Sequence, residues 1–181
     1  MTLDVVALSA CTKCRLAETR QRVVIGTGPT DPVLMIVGEA PGRTEDEGGE
    51  PFIGRSGNLF WRLLREETGL VRDQCYVTNT VKCRPPDNRV PERDELDACR
   101  PWLDDQLADV APLGVLALGA VAAREVLGLR GAMAAIHGQV VSVAGAPGLA
   151  TYHPAAALRN PSLAQVIRAD LRAVLGALPR S

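Results

Sequence analysis

The chain has 181 residues, of which 46% are hydrophobic and 23% are charged. This length is usual for one domain, and the composition excludes the disordered and fibrous classes of protein. The 20 lysines and arginines nearly balance the 21 aspartates and glutamates, so the chain lacks the positive charge typical of nucleic-acid-binding domains. Its first ten residues do not have the pattern of a signal peptide, and no apolar run is long enough to span a membrane. We therefore expect one domain over residues 1–181, located in the cytoplasm.

Two strands and a helix are predicted in the first half of the chain. The apolar run 33–37, which ends at Gly38, is typical of a buried parallel strand. Residues 58–68 show the helical spacing of apolar side chains and are followed by a glycine, which commonly ends a helix. A second strand is predicted over residues 75–81. The proline-rich segment 84–91 that follows is predicted to have no regular structure.

The second half of the chain alternates helices with short strands. The sequence predicts helices from about 92 to 108, after Gly119 as far as Leu127, and from about 162 to 178. Apolar runs predict strands at 115–118, 139–143 and 149–152. This alternation predicts an α/β fold, a single-domain α/β/α sandwich with a mostly parallel central sheet.

In such a sheet, ligands bind beyond the carboxyl ends of the strands. The segments in that position are residues 38–42, Asn79 with the loop behind it, Gly119, and His153 with Pro154.

Five cysteines are an odd number in a chain for which we expect no export, so metal or catalytic roles become more plausible than disulfides. Cys11 and Cys14 form a C-x2-C hook, and Cys83 and Cys99 follow far along the chain. Four thiolates from separate segments suit either a tetrahedral zinc ion or a [4Fe–4S] cluster, and the spacing alone does not choose between them. Four unrelated reduced thiols are the remaining alternative. Cys75 opens the second predicted strand, and we expect it to be a buried core thiol.

Several short motifs occur in a fixed order along nearly the whole chain. They are GEAPG at 38–42, ED at 45–46, PFIGRSG at 51–57, YVTN at 76–79, KCRPP at 82–86, YHP at 152–154 and LRNP at 158–161. Together with the cysteine pattern, this series resembles the family 4 uracil-DNA glycosylases.

The resemblance implies an α/β/α fold, a [4Fe–4S] cluster and hydrolysis of the bond between uracil and deoxyribose. It also implies that the cluster is structural and pins the N-terminal segment and the proline-rich loop to the sheet. The implied cluster ligands are Cys11, Cys14, Cys83 and Cys99.

Chemistry gives each of the matching residues a role. A target base must leave the duplex to be reached, and Phe52 is suited to stacking on it. The Asn79 amide can pair with both N3–H and O4 of uracil, whereas cytosine presents the opposite pattern. His153 can donate a hydrogen bond to the charge that develops on uracil O2 as the glycosidic bond breaks.

The first motif also supplies Glu39 as a candidate for activating water. We expect Glu39 to be the main one, with Asn88 and Glu45 in support. Ala40 stands in the substrate-binding motif where the better-known uracil glycosylases carry an aspartate.

DNA contact is expected from residues close to the same edge of the sheet. Basic loop residues would neutralise phosphates, a helix N-terminus would offer N–H groups, and an apolar residue would prop open the base stack. The residues concerned are Arg55, Ser56, Lys82, Arg84, Arg89, Leu158 and Arg159. The expected partner is uracil-containing DNA, single- or double-stranded, bound by a monomer without any membrane.

Two alternatives are open. A related subgroup traps uracil-DNA covalently through a histidine in the loop after the second strand, but residues 84–91 contain no histidine. We therefore predict no covalent adduct. The other alternative is a cluster- or zinc-stabilised module that binds nucleic acid without catalysis.

Overall fold

The centre of the protein is a five-stranded sheet in a computed structural model that describes residues 3–179. The strands are β1 (Leu34–Gly38), β2 (Cys75–Asn79), β3 (Gly114–Leu118), β4 (Val140–Val143) and β5 (Ala146–Thr151). Their order across the sheet is β2-β1-β3-β5-β4. All neighbouring pairs are parallel except β4 and β5, which form an antiparallel hairpin at one edge.

Helices connect the strands and cover both faces of the sheet. They are α1 (Val5–Ser9), α2 (Arg43–Gly48), α3 (Arg55–Thr68), α4 (Arg93–Asp109), α5 (Ala120–Leu127), α6 (Met133–Ile136), α7 (Pro154–Arg159) and α8 (Leu163–Ala177). Within residues 3–179, none of these helices has the length and apolar character needed to cross a membrane.

The alternation of side chains along β1 shows why two helical layers form. Leu34 and Ile36 point into a core built with side chains of α3 and α8. Met35 and Val37 point to the opposite face, where α4 and α5 contribute to the core. Because a parallel strand covered on both faces buries every residue, its sequence is continuously apolar. The predicted α/β/α sandwich with a mostly parallel sheet is confirmed.

Several segments differ from the sequence prediction, which included neither α1 nor α6. Residues 43–48 form α2, which the sequence did not reveal because that segment has no apolar stripe. Residues 154–159 form α7, a helix that the sequence prediction did not include. The proline-rich segment was predicted to have no regular structure, but Pro86–Asn88 forms one turn of 3-10 helix, with Asp87 in the left-handed conformation at φ 55°.

Candidate active site

A cavity of about 500 Å³ lies beyond the carboxyl ends of β1, β2 and β5. This is where ligands bind in open parallel sheets, because the loops that follow neighbouring strands meet there. Ten of the predicted site residues line it: Glu39, Ala40, Glu45, Phe52, Ser56, Asn79, Asn88, Arg89, His153 and Arg159. The other predicted DNA-contact residues, Arg55, Lys82, Arg84 and Leu158, are not in its lining.

Asn79 ends β2, lines the cavity and carries a buried hydrogen-bond acceptor without a partner. Its side chain is buried, and its Oδ1 is the one buried side-chain oxygen or nitrogen in residues 3–179 without a partner. Gly38 on the neighbouring strand makes room for it, since a Cβ there would overlap Oδ1. A buried acceptor without a partner costs roughly 1–3 kcal/mol. The position therefore favours a ligand that supplies a donor.

Lys82 does not lie on the surface that faces the cavity, so its predicted contact with phosphate is wrong. The side chain is 1% exposed. Its Nζ donates to the backbone oxygen of Asn79 at 2.6 Å and to Thr78 Oγ1 at 2.8 Å. Burial lowers the pKa of its ammonium group to about 8. Lys82 thus supports the backbone of Asn79 from inside the protein.

Phe52 lies across the cavity in a strained backbone conformation. Its φ is 55°, a value that is unusual for a bulky residue and costs on the order of 1–3 kcal/mol. The ring centroid lies 6.0 Å from that of Phe60 and 5.9 Å from that of His153. Gly38 is again required, because a Cβ at this position would meet Phe52 Cζ at 2.7 Å. Strain of this kind is typical of functional sites.

His153 precedes α7 and has a defined protonation pattern. Its Nδ1 accepts a hydrogen bond from the backbone N–H of Ala155 at 3.2 Å, so the proton of the neutral ring belongs on Nε2. Burial, with a smaller contribution from the charge of Arg159, lowers the pKa of His153 to about 4. The ring is therefore a neutral hydrogen-bond donor near pH 7.

Glu39 is the carboxylate best suited to accept a proton. It follows β1 directly, lines the cavity and is half-buried. Burial raises its pKa above the ordinary value, and the charge of Arg124 partly opposes that shift. A raised pKa makes a carboxylate a better general base at neutral pH.

Glu45 and Asn88 are each engaged in a hydrogen bond within the protein. Glu45 lies in α2, and its Oε1 accepts a hydrogen bond from the backbone N–H of Gly54 at 2.7 Å. This bond ties α2 to the start of α3. Asn88 Oδ1 accepts from Arg84 Nε at 2.8 Å, and the left-handed backbone of Asn88 holds it at the rim of the cavity.

Four of the predicted DNA-contact residues differ in how accessible they are to a bound strand. Arg55, Leu158 and Arg159 are exposed and free to contact a bound strand. Leu158 and Arg159 belong to the last turn of α7. Arg89 instead donates two hydrogen bonds to the buried carboxylate of Glu95, at 2.8 and 2.6 Å, which reduces its availability for phosphate.

The four cysteines of the predicted cluster line a second, smaller cavity. Two N–H groups point at their sulfur atoms: Trp102 Nε1 lies 3.3 Å from Cys11 Sγ, and an Arg20 nitrogen lies 3.5 Å from Cys83 Sγ. Burial raises the pKa of the Cys83 thiol to about 12. Cys75 lies elsewhere, buried in the core as predicted.

No group of three or more histidine, cysteine, aspartate or glutamate side chains within residues 3–179 is placed to hold a metal ion. The thiols are nevertheless four soft ligands around one cavity, with N–H donors directed at sulfur. This donor set fits an iron–sulfur cluster. The residues that would hold it are Cys11, Cys14, Cys83 and Cys99.

Sequence reasoning missed three residues that support the site. Trp61 and Arg72 donate to backbone oxygens of the Phe52 turn, and Ala155 donates to His153. One signal was available for Ala155, because a proline directly after His153, followed by three alanines, is typical of a helix start. No sequence signal pointed to Trp61 or Arg72, since their partners are backbone atoms in other segments.

Comparison with known proteins gives a consistent result. A family model, described as the uracil DNA glycosylase superfamily, matches residues 25–174. The chain is 40% identical to the type-4 uracil-DNA glycosylase of Saccharolobus solfataricus, over 97% of this chain and 86% of that protein. The type-4 uracil-DNA glycosylase of Pyrobaculum aerophilum is also 40% identical, over 92% and 88% of the two chains. That of Thermotoga maritima is 39% identical, over 89% and 85%.

Proposed function

The chain belongs to the uracil-DNA glycosylase superfamily and to its type-4 family, and we propose that it excises uracil from DNA through the cavity described above. It is a monofunctional glycosylase, a hydrolase that breaks the N-glycosidic bond and leaves an abasic site. The observation that carries the assignment of this cavity is the unpaired Oδ1 of buried Asn79. An acceptor fixed at that depth matches a base edge that offers a donor.

The Asn79 amide and the Phe52 ring recognise uracil. Asn79 Oδ1 accepts from N3–H, and the amide nitrogen donates to O4. Cytosine has an acceptor at N3 and a donor at the neighbouring position, so it would leave the buried acceptor unpaired. Phe52 stacks on the face of the extruded base. Lys82 fixes the backbone from which the amide projects.

The neutral His153 stabilises the departing base. When the bond between N1 of uracil and C1′ of the sugar breaks, its electron pair remains on uracil, and negative charge develops at O2. The Nε2–H of His153 donates to that oxygen. The lowered pKa of His153 keeps its ring neutral near pH 7. A neutral imidazole can stabilise the anion by donating a hydrogen bond without transferring its proton.

Glu39 activates the water that completes the reaction. The water oxygen bonds to C1′ of the oxocarbenium-like sugar, and one water proton passes to the Glu39 carboxylate. The products are an abasic sugar with a C1′ hydroxyl group and an anionic uracil that takes up a proton from solvent. Asn88 lies at the rim of the same cavity, where it can hold the water or the sugar.

The cysteine cavity is proposed to hold a [4Fe–4S] cluster with a structural role. Four thiols from separate segments line this one cavity, and N–H groups are directed at two of the sulfur atoms, an environment that suits a protein-bound iron–sulfur cluster. When bound, the cluster supplies four iron–thiolate bonds that join the N-terminal segment, the loop after β2 and α4. Purified protein should contain about four irons per chain, and a colourless protein with one zinc per chain would overturn this assignment.

DNA is proposed to bind as a single or double strand across the rim of the cavity, to a monomer. Arg55 and Arg159 would contact phosphates, and Leu158 would wedge into the base stack. We also propose a cytoplasmic location, where bacterial and archaeal DNA is found.

One gel tests the proposed reaction. A labelled oligonucleotide with one uracil is incubated with the cluster-loaded protein and divided between alkali treatment and plain denaturation. Cleavage only after alkali is the expected result. A shifted band that survives denaturation would show a covalent trap. An unchanged oligonucleotide in both samples would overturn the proposed activity and favour a binding module.

A further inference from the structure

The backbone turn that carries Phe52 is held from outside by two side chains. Trp61 Nε1, from α3, donates to the backbone oxygen of Phe52 at 3.0 Å. Arg72, from the turn before β2, donates to the oxygen of Pro51 at 2.9 Å and approaches that of Phe52 at 3.5 Å. Gly57 makes this approach possible, because a Cβ there would overlap the Phe52 backbone oxygen.

The two donors also support each other. The guanidinium carbon of Arg72 lies 5.0 Å from the centroid of the Trp61 ring, within the range of a cation–π contact. The Trp61 ring packs edge-on against Phe60, with centroids 5.2 Å apart. Phe60 is fully buried in the core beneath α3. Trp61 and Phe60 therefore connect the Phe52 turn to the hydrophobic core.

Without these two donors, we expect the strained backbone of Phe52 to change conformation. A phenylalanine at φ 55° is strained, and a return to negative φ would swing its Cα–Cβ bond away from the present direction. The ring is now 5% exposed and lies beside His153 in the cavity. A relaxed turn would move the ring out of that position.

We propose that Trp61 and Arg72 are positioning residues for base recognition, which fix the left-handed turn so that the Phe52 ring stands ready to stack on the extruded uracil. The inference rests on the proposed function, in which the Phe52 ring stacks on uracil. A preorganised ring favours binding because no free energy is spent in ordering it when the base arrives.

A double-mutant cycle separates positioning from general structural support. Trp61→Phe keeps an aromatic ring in the core and removes the N–H donor. We expect it to lower kcat/KM for a single-stranded uracil oligonucleotide by about tenfold, the size of one lost hydrogen bond. In a Phe52→Ala background the same change should have no further effect, because the ring that it positions is gone. An equal loss in both backgrounds, or no loss in the unmodified background, would overturn the proposal.

Arg72→Met provides a second test, with Arg62→Met as its matched control. Both changes remove one arginine, but Arg62 is exposed on α3, and the side-chain hydrogen bonds to the Phe52 turn come from Trp61 and Arg72. We expect a loss of activity from Arg72→Met alone, and equal losses from both variants would contradict the clamp.

A crystal structure of the Trp61→Phe variant gives a readout that does not depend on activity. We expect φ of Phe52 to leave the left-handed region, and an unchanged turn would overturn the clamp. If the unmodified protein released no uracil, the proposed function would fail, while this structure would still decide whether Trp61 holds the turn.

Discussion

At the scale of single residues, Asn79 is the position where base specificity should be most sensitive. Asn79→Asp keeps the size of the side chain but removes the donor to uracil O4. We expect kcat/KM for uracil to fall by at least about tenfold and the preference for uracil over cytosine to weaken. Excision from matched uracil and cytosine oligonucleotides measures both effects. Gln165→Glu, the same amide-to-carboxylate change on the exposed surface of α8, is the control.

His153 should make stability depend on pH in a defined direction. Burial lowers its pKa in the folded protein from an ordinary 6.5 to about 4, so below pH 6.5 the unfolded chain takes up a proton that the folded chain excludes. The stability that the neutral ring contributes is present above pH 6.5 and is lost as the pH falls towards about 4. We therefore expect the melting temperature to fall less between pH 7 and pH 4.5 in His153→Asn than in the unmodified protein. Parallel pH profiles would contradict a lowered pKa for His153.

At the scale of elements, the first turn of α4 joins two loops through one carboxylate. Glu95 is fully buried, and it accepts hydrogen bonds from Arg89 in the proline-rich loop and from Arg15 beside the cysteine hook. The Arg89 bonds are the main cause that lowers its pKa to about 2. This ion-pair network connects the rim of the active-site cavity to the cysteine cavity.

Breaking that network should destabilise the protein more than breaking a surface pair. We expect Glu95→Gln to lower the free energy of unfolding by about 2 kcal/mol. This is less than the cost of removing one partner from a fully buried ion pair, because both arginines remain partly hydrated. Asp104→Asn, which removes an exposed pair with Arg100 on the same helix, should cost less than about 0.5 kcal/mol. Urea unfolding of both variants measures the difference, and equal costs would show that Glu95 acts as a surface residue.

The elements differ in how far the sequence could predict them. The strand at 33–37 was evident because burial on both faces requires a continuous apolar run. The short helix α2 was not, since RTEDEG contains no apolar periodicity. Asn79 and His153 could be placed at the cavity because the ends of parallel strands meet at one edge. Lys82 could not, because only the path of the chain after β2 decides whether that side chain turns inward.

At the scale of the whole molecule, the net charge is close to zero and some basic side chains bind partners within the protein. The chain has a formal net charge of −1, and two of the predicted phosphate contacts, Lys82 and Arg89, are committed to partners within the protein. Arg55 and Arg159 are exposed, and Arg84 is half-buried close to the same rim. Affinity for DNA must therefore come from a small number of phosphate contacts together with capture of the base.

This balance predicts a shallow dependence of DNA binding on salt. Three phosphate contacts on a single strand correspond to a slope of about −2 in a plot of log K against log salt concentration. Fluorescence anisotropy with a labelled uracil oligonucleotide between about 50 and 200 mM salt covers the useful range. Arg159→Gln should reduce the slope by about 0.7, the share of one contact. A slope of about −4 or steeper would require additional cations at the interface, and so a movement that releases Lys82 or Arg89 when DNA binds.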